Sequence, residues 1–125
     1  MPRVHAAIPV LRIFDEAKAL EFYVGFLGFQ LVWRNGEAGA PVYLQVSLGD
    51  CSLQLSEHFG DGTPGSHVKI RTQELAAFHA QLLAKRYRHA KPELLEQTWG
   101  EREMPISDPF DNKLIFWEPW PARSV

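Results

Sequence analysis

The chain has 125 residues and a mass of 14.2 kDa, which is long enough for one domain with its own core but not for two. Its 13 basic and 15 acidic residues nearly cancel to a net charge of −2, without a charged run, and this balance argues against nucleic-acid binding. The N-terminal residues do not have the pattern of a signal peptide, and no apolar run approaches the roughly 18 residues of a membrane helix, so a cytoplasmic protein is expected.

The first part of the chain predicts a strand, a helix and a second strand. Residues 4–13 have strand character, and Pro9 predicts that this strand lies at a sheet edge or departs from its own sheet at that point, because proline has no backbone donor. Asp15 is suited to cap a helix that ends at Gly28. A short alternating strand is expected over residues 29–33.

The segment Val42–His58 predicts a β-hairpin with Gly49 and Asp50 at the turn. A two-residue turn sets three pairs of residues opposite each other: Val46 with Leu53, Gln45 with Gln54, and Tyr43 with Ser56. One side of the hairpin is then apolar and is expected to bury Cys51, the single cysteine, which excludes an internal disulfide. The other side is polar but uncharged, and we interpret it as the lining of a cleft instead of an ordinary wetted face.

The second part of the chain repeats this order of elements after a glycine-rich seam over residues 59–66. A strand over residues 67–71 leads to Thr72, which is expected to cap a second helix ending near Tyr87. One stripe of that helix is apolar and comprises Leu75, Phe78, Leu82 and Leu83. Three further strands are expected over residues 94–99, 102–106 and 113–117.

The order of elements predicts an α+β fold of two βαβββ modules, about residues 4–58 and 67–118, within a single domain of residues 1–125. Each module has one helix, which can cover only one face of its sheet. The other face of each half-open sheet is left to enclose a ligand.

Three stretches resemble the vicinal oxygen chelate superfamily, which contains glyoxalases, extradiol dioxygenases and bleomycin resistance proteins. The opening IPVLRIFDEAKALEFYVGFLGF resembles the superfamily as a whole, and LQLSEHFGDGTPG and WGEREMPISDPFDNKLIFWEP resemble the bleomycin resistance branch. The similarity runs from about Ala6 to Pro119 and implies paired βαβββ modules that form half-open barrels.

Enzymes of this superfamily hold a metal through one residue on each of four strands. The resemblance assigns these positions to Ile8, Gln54, His67 and Ile115. Two isoleucines cannot donate to a metal, and an amide is a weak ligand. Three ionisable residues lie three positions away, an odd offset that turns a strand residue to the opposite face: His5, Glu57 and Glu118. We therefore expect no metal, no other cofactor and no catalysis of this kind.

Members of the bleomycin resistance branch bind the antibiotic in grooves between two subunits that exchange their N-terminal strands. The resemblance implies a homodimer whose arm leaves near Pro9, with Trp99 stacking on a cationic, aromatic, bleomycin-like ligand. Strand facing and motif position select the remaining pocket candidates, which are Trp33, Tyr43, Gln45, Gln54, Ser56, His67, Glu101 and Arg102.

Two other functions stay open at this point. One is a metal-dependent lyase or dioxygenase of the same fold with an unusual site. The other is a dimeric module that binds a different aromatic metabolite. For Trp99 itself, the alternative to a stacking role is a place in the core, where large aromatic residues are usually found.

Overall fold

A computed structural model describes residues 1–121, whose strands form two separate sheets of four. The first sheet has the order β1-β4-β3-β2 and consists of β1 (Val10–Arg12), β2 (Gln30–Asn35), β3 (Tyr43–Leu48) and β4 (Cys51–Ser56). The second has the order β5-β8-β7-β6 and consists of β5 (His67–Arg71), β6 (Leu95–Glu96), β7 (Glu101–Ser107) and β8 (Lys113–Pro119). In each sheet the first strand pairs in parallel and the others pair antiparallel. The two predicted βαβββ modules are confirmed.

The first helix begins where the sequence predicted it. The Asp15 side chain accepts a hydrogen bond of 3.0 Å from the Lys18 backbone N–H, and α1 (Glu16–Leu20) follows. The helix continues as a π-helical segment, Glu21–Phe26, and stops before Gly28. The φ of Gly28 is 90°, a backbone conformation that glycine adopts at little energetic cost.

The second helix, α2 (Leu75–Ala84), starts differently from the expectation. The hydroxyl of Thr72 donates to the carbonyl of Ile70 at 2.9 Å and does not cap the helix. The N-cap residue is Glu74, which has a φ of 56° and makes no side-chain capping bond. The capping prediction was wrong because a threonine hydroxyl can bond to a nearby carbonyl as readily as to a helix terminus.

The end of α2 also differs from the prediction. The helix stops at Ala84, before Tyr87, because Arg86 adopts a left-handed backbone with a φ of 51°. Leu75 and Leu82 are buried, but Leu83 is 39% exposed and does not belong to the buried stripe. The described part of the chain, residues 1–121, contains no helix that is long and apolar enough to cross a membrane.

Two strands are shorter than predicted. Residues 4–9 precede β1, and the ladder begins where the Pro9 carbonyl accepts a bond of 3.0 Å from the Gln54 N–H. Proline cannot return a donor to this ladder, so pairing does not extend toward the N-terminus. The strand expected over residues 94–99 is reduced to β6, because residues 97–100 turn back into β7.

The apolar core lies on the helix-covered side of both sheets, and buried residues of the two modules form one contiguous cluster. Its largest fully buried side chains come from both helices, from β1, β3, β4 and β8, and from residues next to these elements: Phe22, Tyr23, Leu27, Phe29, Leu11, Ile13, Leu44, Leu53, Leu55, Leu75, Leu82 and Phe116. Cys51 was expected inside this core, but it is only half-buried at its margin. Partial burial still raises the pKa of its thiol.

Candidate functional site

The β3–β4 hairpin has the predicted register, with Val46 opposite Leu53 and Gln45 opposite Gln54. Its apolar side chains face the core. Its polar side forms part of a surface that we call the first polar face, which comprises Arg12, Trp33, Tyr43, Gln45 and Gln54.

A chain of hydrogen bonds orders the middle of the first polar face. The phenol of Tyr43 donates to Oε1 of Gln54 at 2.6 Å, and Nε2 of Gln54 donates to Oε1 of Gln45 at 2.9 Å. These bonds hold both amides flat against the sheet and engage the polar atoms of Gln54. The face is therefore a preorganised surface without formal charge at its centre.

Trp33 joins this face because of a β-bulge. The pairing of β2 with β3 shifts between Leu31, opposite Val46, and Trp33, opposite Gln45. The extra residue turns the Trp33 side chain away from the core side, where simple alternation would have put it. Its indole lies parallel to the Tyr43 ring, with the ring centroids 5.8 Å apart and 6° between the planes.

Ser56 was a pocket candidate, but its hydroxyl is buried and already engaged. It donates to Oδ2 of Asp61 at 2.9 Å and accepts the backbone N–H of His58 at 3.0 Å. Ser56 therefore anchors the start of the glycine-rich segment, and its hydroxyl does not line an open surface.

The corresponding side of the second sheet carries most of the charge. We call it the second polar face, and register and exposure assign to it His67, Lys69, Arg71, Glu101, Glu103, Lys113, Ile115 and Trp117. Lys69 crosses the indole of Trp117, with Nζ 4.8 Å from the ring centroid, and reaches Oε1 of Glu101 at 2.8 Å. The guanidinium of Arg71 lies 5.1 Å from the same indole. A cation of the protein itself thus covers the Trp117 ring.

Trp99 lies beside Glu101 and is 61% exposed, so the interpretation of Trp99 as a core residue is wrong. Its indole N–H donates to Oε1 of Glu101 at 3.0 Å. The hydrogen bond from Lys69, followed by the one from Trp99, lowers the pKa of Glu101. Glu101 is therefore a carboxylate between an aromatic surface and a lysine.

Arg102 was expected in the pocket, but the structure places it on the opposite side of β7. It pairs with Glu118 through bonds of 3.0 and 2.7 Å, and its guanidinium lies 3.5 Å from the centroid of the Trp120 ring. Neighbouring residues in a strand point to opposite faces, so Glu101 and Arg102 cannot both line one surface.

The residues at the four positions where related enzymes hold a metal do not fit a metal. Ile8 is 45% exposed and precedes β1, and Ile115 is half-buried on β8. Gln54 is engaged with Tyr43 and Gln45, and His67 is exposed at the start of β5. Within residues 1–121, no group of three or more His, Cys, Asp or Glu side chains lies close enough to hold an ion.

Six side chains on these faces were not among the sequence-based candidates: Arg12, Lys69, Arg71, Glu103, Lys113 and Trp117. Lys69 and Trp117 alternate with the buried residues of their strands, so the period of two that identified the hairpin could have found them. Arg12 lies between the apolar residues Leu11 and Ile13, so the same alternation could have placed it on the face opposite the core.

The two polar faces are open in the single chain. Among residues 1–121, no hydrogen bond, ion pair or aromatic contact joins one face to the other. A groove of about 1060 Å³ lies elsewhere, between the N-terminal arm, the β3–β4 turn, β5 and α2. The expected cleft is therefore two separate half-surfaces.

Comparison with known proteins identifies the family. The family model described as glyoxalase superfamily protein matches residues 3–121. A solved bleomycin-binding protein, complexed with bleomycin, is 23% identical, with 92% of this chain and 98% of that chain covered and a TM-score of 0.69. TnmS3, an antibiotic binding protein from Streptomyces sp. CB03234, is 23% identical, with 95% and 98% covered and a TM-score of 0.73.

A glyoxalase/bleomycin resistance protein from the same Streptomyces strain is 27% identical, with 90% of this chain and 100% of that chain covered and a TM-score of 0.67. A search of curated protein sequences found no match. The similarity to solved structures establishes the fold, and the family model extends over nearly the whole chain. The chain therefore belongs to the glyoxalase superfamily, the vicinal oxygen chelate superfamily that its sequence resembles.

Proposed function

We propose that this protein is a non-catalytic binding protein that sequesters an aromatic antibiotic of the bleomycin type. The observation that carries the proposal is the stacked pair of Trp33 and Tyr43 beside the hydrogen-bonded amides of Gln54 and Gln45. A flat ring can extend this stack, while Nε2 of Gln45, which makes no hydrogen bond within residues 1–121, can donate one to a substituent of the ring.

The residue types at the metal positions and the descriptions of two similar solved structures support binding over catalysis. Ile8 and Ile115 offer no electron pair at positions where related enzymes hold a metal. Two similar structures are described as a bleomycin-binding protein and an antibiotic binding protein. Glu101 beside Trp99 supplies a carboxylate and an indole for the cationic part of such a ligand.

We further propose that a second copy of the chain completes the cleft. Each polar face is open on its own, and residues 1–9 precede β1 as an exposed arm that borders the groove of about 1060 Å³. The strand β5 lies at the edge of its sheet next to this groove and can accept an extended segment. These features support a homodimer with exchanged arms, each subunit forming one domain.

One observation favours a ligand other than bleomycin. Lys69 already pairs with Glu101 and covers Trp117, so a cationic ligand has to displace it. A different aromatic metabolite is therefore the second candidate.

Isothermal titration with bleomycin tests the proposal, using Trp33→Ala and the control Trp120→Ala, which removes an indole near Arg102 on the opposite side of the second sheet. We expect binding by the wild type, a loss of about tenfold or more for Trp33→Ala and little change for the control. Elemental analysis of the purified protein is run in parallel. About one transition metal per chain, lost on His67→Ala, would contradict the non-catalytic assignment.

A further inference from the structure

Arg12 lies at the end of β1, directly opposite Ser56 of β4. Its neighbours Leu11 and Ile13 are 1% and 0% exposed and face the core. Because side chains alternate along a strand, Arg12 projects onto the first polar face. Ser56 separates it from Tyr43 in the same row, so Arg12 and Tyr43 lie two strand spacings apart, roughly 10 Å.

The guanidinium of Arg12 lies near two aromatic rings and has no polar partner within residues 1–121. Its Cζ is 4.6 Å from the centroid of the Phe14 ring and 6.0 Å from that of Phe59. Nε is buried and makes no hydrogen bond, and none of the ion pairs in this part of the chain includes Arg12. The terminal nitrogens Nη1 and Nη2 make no hydrogen bond within residues 1–121 either and are not among the buried atoms, so they are the donors that an acceptor from outside the chain can reach.

The glycine-rich segment fixes the position of Arg12 without supplying that acceptor. A Cβ on Gly62 would lie 2.7 Å from the carbonyl oxygen of Val10 and 3.3 Å from the backbone nitrogen of Arg12, so the segment packs directly on β1. The acidic residue of this segment, Asp61, accepts a hydrogen bond from the Ser56 hydroxyl.

The charges on the polar faces also favour an anion. Arg12, Lys69, Arg71 and Lys113 lie on these faces, whereas the acids there are Glu101 and Glu103, both within 4 Å of Lys69. The faces are thus positive although the whole chain has a net charge of −2. Such a local excess of positive charge attracts anionic ligands.

We propose that Arg12 binds a carboxylate, or an equivalent oxyanion, on an aromatic ligand whose ring stacks on Trp33 and Tyr43. This inference rests on the second candidate of the proposed function, an aromatic metabolite other than bleomycin, and specifies its class: a planar aromatic acid. The guanidinium provides a fork of N–H donors that matches a carboxylate in a bidentate manner, and the nearby ring of Phe14 leaves that fork free of any competing acceptor.

Three probes with the same ring test the inference by isothermal titration: 2-naphthoate, the neutral 2-naphthalenemethanol and the cationic 2-naphthylmethylammonium. We expect the wild type to bind 2-naphthoate about tenfold more tightly than the alcohol. Arg12→Gln should remove this preference, because it weakens the binding of the acid much more than that of the alcohol. The matched control is Arg34→Gln, because Arg34 belongs to the same sheet but pairs with Glu16 on the helix side. It should keep the preference.

The outcomes separate this inference from the proposed function. Equal binding of the acid and the alcohol by the wild type, or a preference that survives Arg12→Gln, overturns the role of Arg12 and leaves an aromatic binding protein. Failure of all three probes and of bleomycin to bind overturns the proposed function itself. If Arg12→Gln does not fold by circular dichroism, Arg12→Lys keeps the charge without the fork. It should bind 2-naphthoate more weakly than the wild type, and an unchanged affinity would contradict bidentate binding.

Discussion

Tyr23, in the first helical segment, donates a hydrogen bond of 2.7 Å to Oδ2 of Asp108 in the second module, and both side chains are buried. Asp108 also accepts the backbone N–H of Phe110, and both the backbone N–H and the side-chain amide of Asn112. The same Asn112 amide donates to the carbonyl of Arg12 at 2.8 Å. One buried carboxylate therefore organises the contact between the modules.

Stability should depend on pH through Asp108. Burial raises the pKa of this carboxyl above 3.8, and the hydrogen bonds that it accepts offset only part of that effect. The folded state then binds more protons than the unfolded state, so the contribution of Asp108 is complete below pH 3.8 and is lost as the pH rises through the folded-state pKa. We expect urea unfolding to show that the free energy of unfolding of the wild type falls relative to that of Asp108→Asn as the pH rises through this range. The assignment would be contradicted if the difference in free energy of unfolding between the two proteins did not change with pH, or if the wild type gained stability relative to Asp108→Asn as the pH rose.

The glycine-rich segment provides a second test. Gly60 and Gly62 both have positive φ values, 92° and 69°, but only at Gly62 would an added methyl group meet backbone atoms within 4 Å, namely those of Val10 and Arg12. Gly60→Ala should cost about 1–2 kcal/mol for the left-handed backbone alone. Gly62→Ala should cost clearly more, because the methyl group pushes the segment away from β1. Equal losses in thermal unfolding would show that the close packing on β1 does not matter.

Trp99 should matter for binding and not for folding. Its side chain is 61% exposed, so Trp99→Ala should change the free energy of unfolding by less than about 1 kcal/mol. Affinity for the aromatic ligand should fall about tenfold if the indole stacks on it. Phe116→Ala serves as the control: that ring is 1% exposed and its loss should cost about 3–5 kcal/mol. Unchanged affinity in folded Trp99→Ala would remove Trp99 from the site.

Lys69 should compete with cationic ligands. Lys69→Met frees the carboxylate of Glu101 and the indole of Trp117, so the affinity for 2-naphthylmethylammonium should rise about two- to fivefold. Lys113→Met is the matched control, because it removes one positive charge from the same face and Lys113, within the described residues, contacts neither group. Equal gains in affinity for both variants would indicate that the change in the electrostatic field of the whole face, and not local competition by Lys69, controls binding.

The proposed dimer predicts a mass of twice 14.2 kDa by light scattering at micromolar concentration. Removal of residues 1–8 should shift the protein toward the monomer if the arms are exchanged, whereas removal of residues 1–3 alone should not. A full-length protein that stays near 14.2 kDa would exclude a stable dimer under these conditions.

The hairpin from β3 to β4 could be predicted from the sequence alone, together with the βαβββ order and the Asp15 cap. Alternation of apolar and polar residues and the Gly49–Asp50 turn are local signals, and the observed pairing of Gln45 with Gln54 agrees with them. The lack of donor atoms at Ile8 and Ile115 also followed from residue types. These features depend on the residues themselves and on their neighbours in the chain.

Only the tertiary structure decided which side chains share a surface. A bulge turns Trp33 onto the first polar face, and the register of β7 with β8 sends Arg102 to the side of Glu118 and Glu101 to the side of Lys69. The surroundings of the Arg12 guanidinium, whose Nε has no hydrogen-bond partner, likewise include Phe14 and the distant Phe59. A shift of one residue in pairing reverses the facing of a whole strand, and such shifts are set by long-range packing that no local pattern encodes.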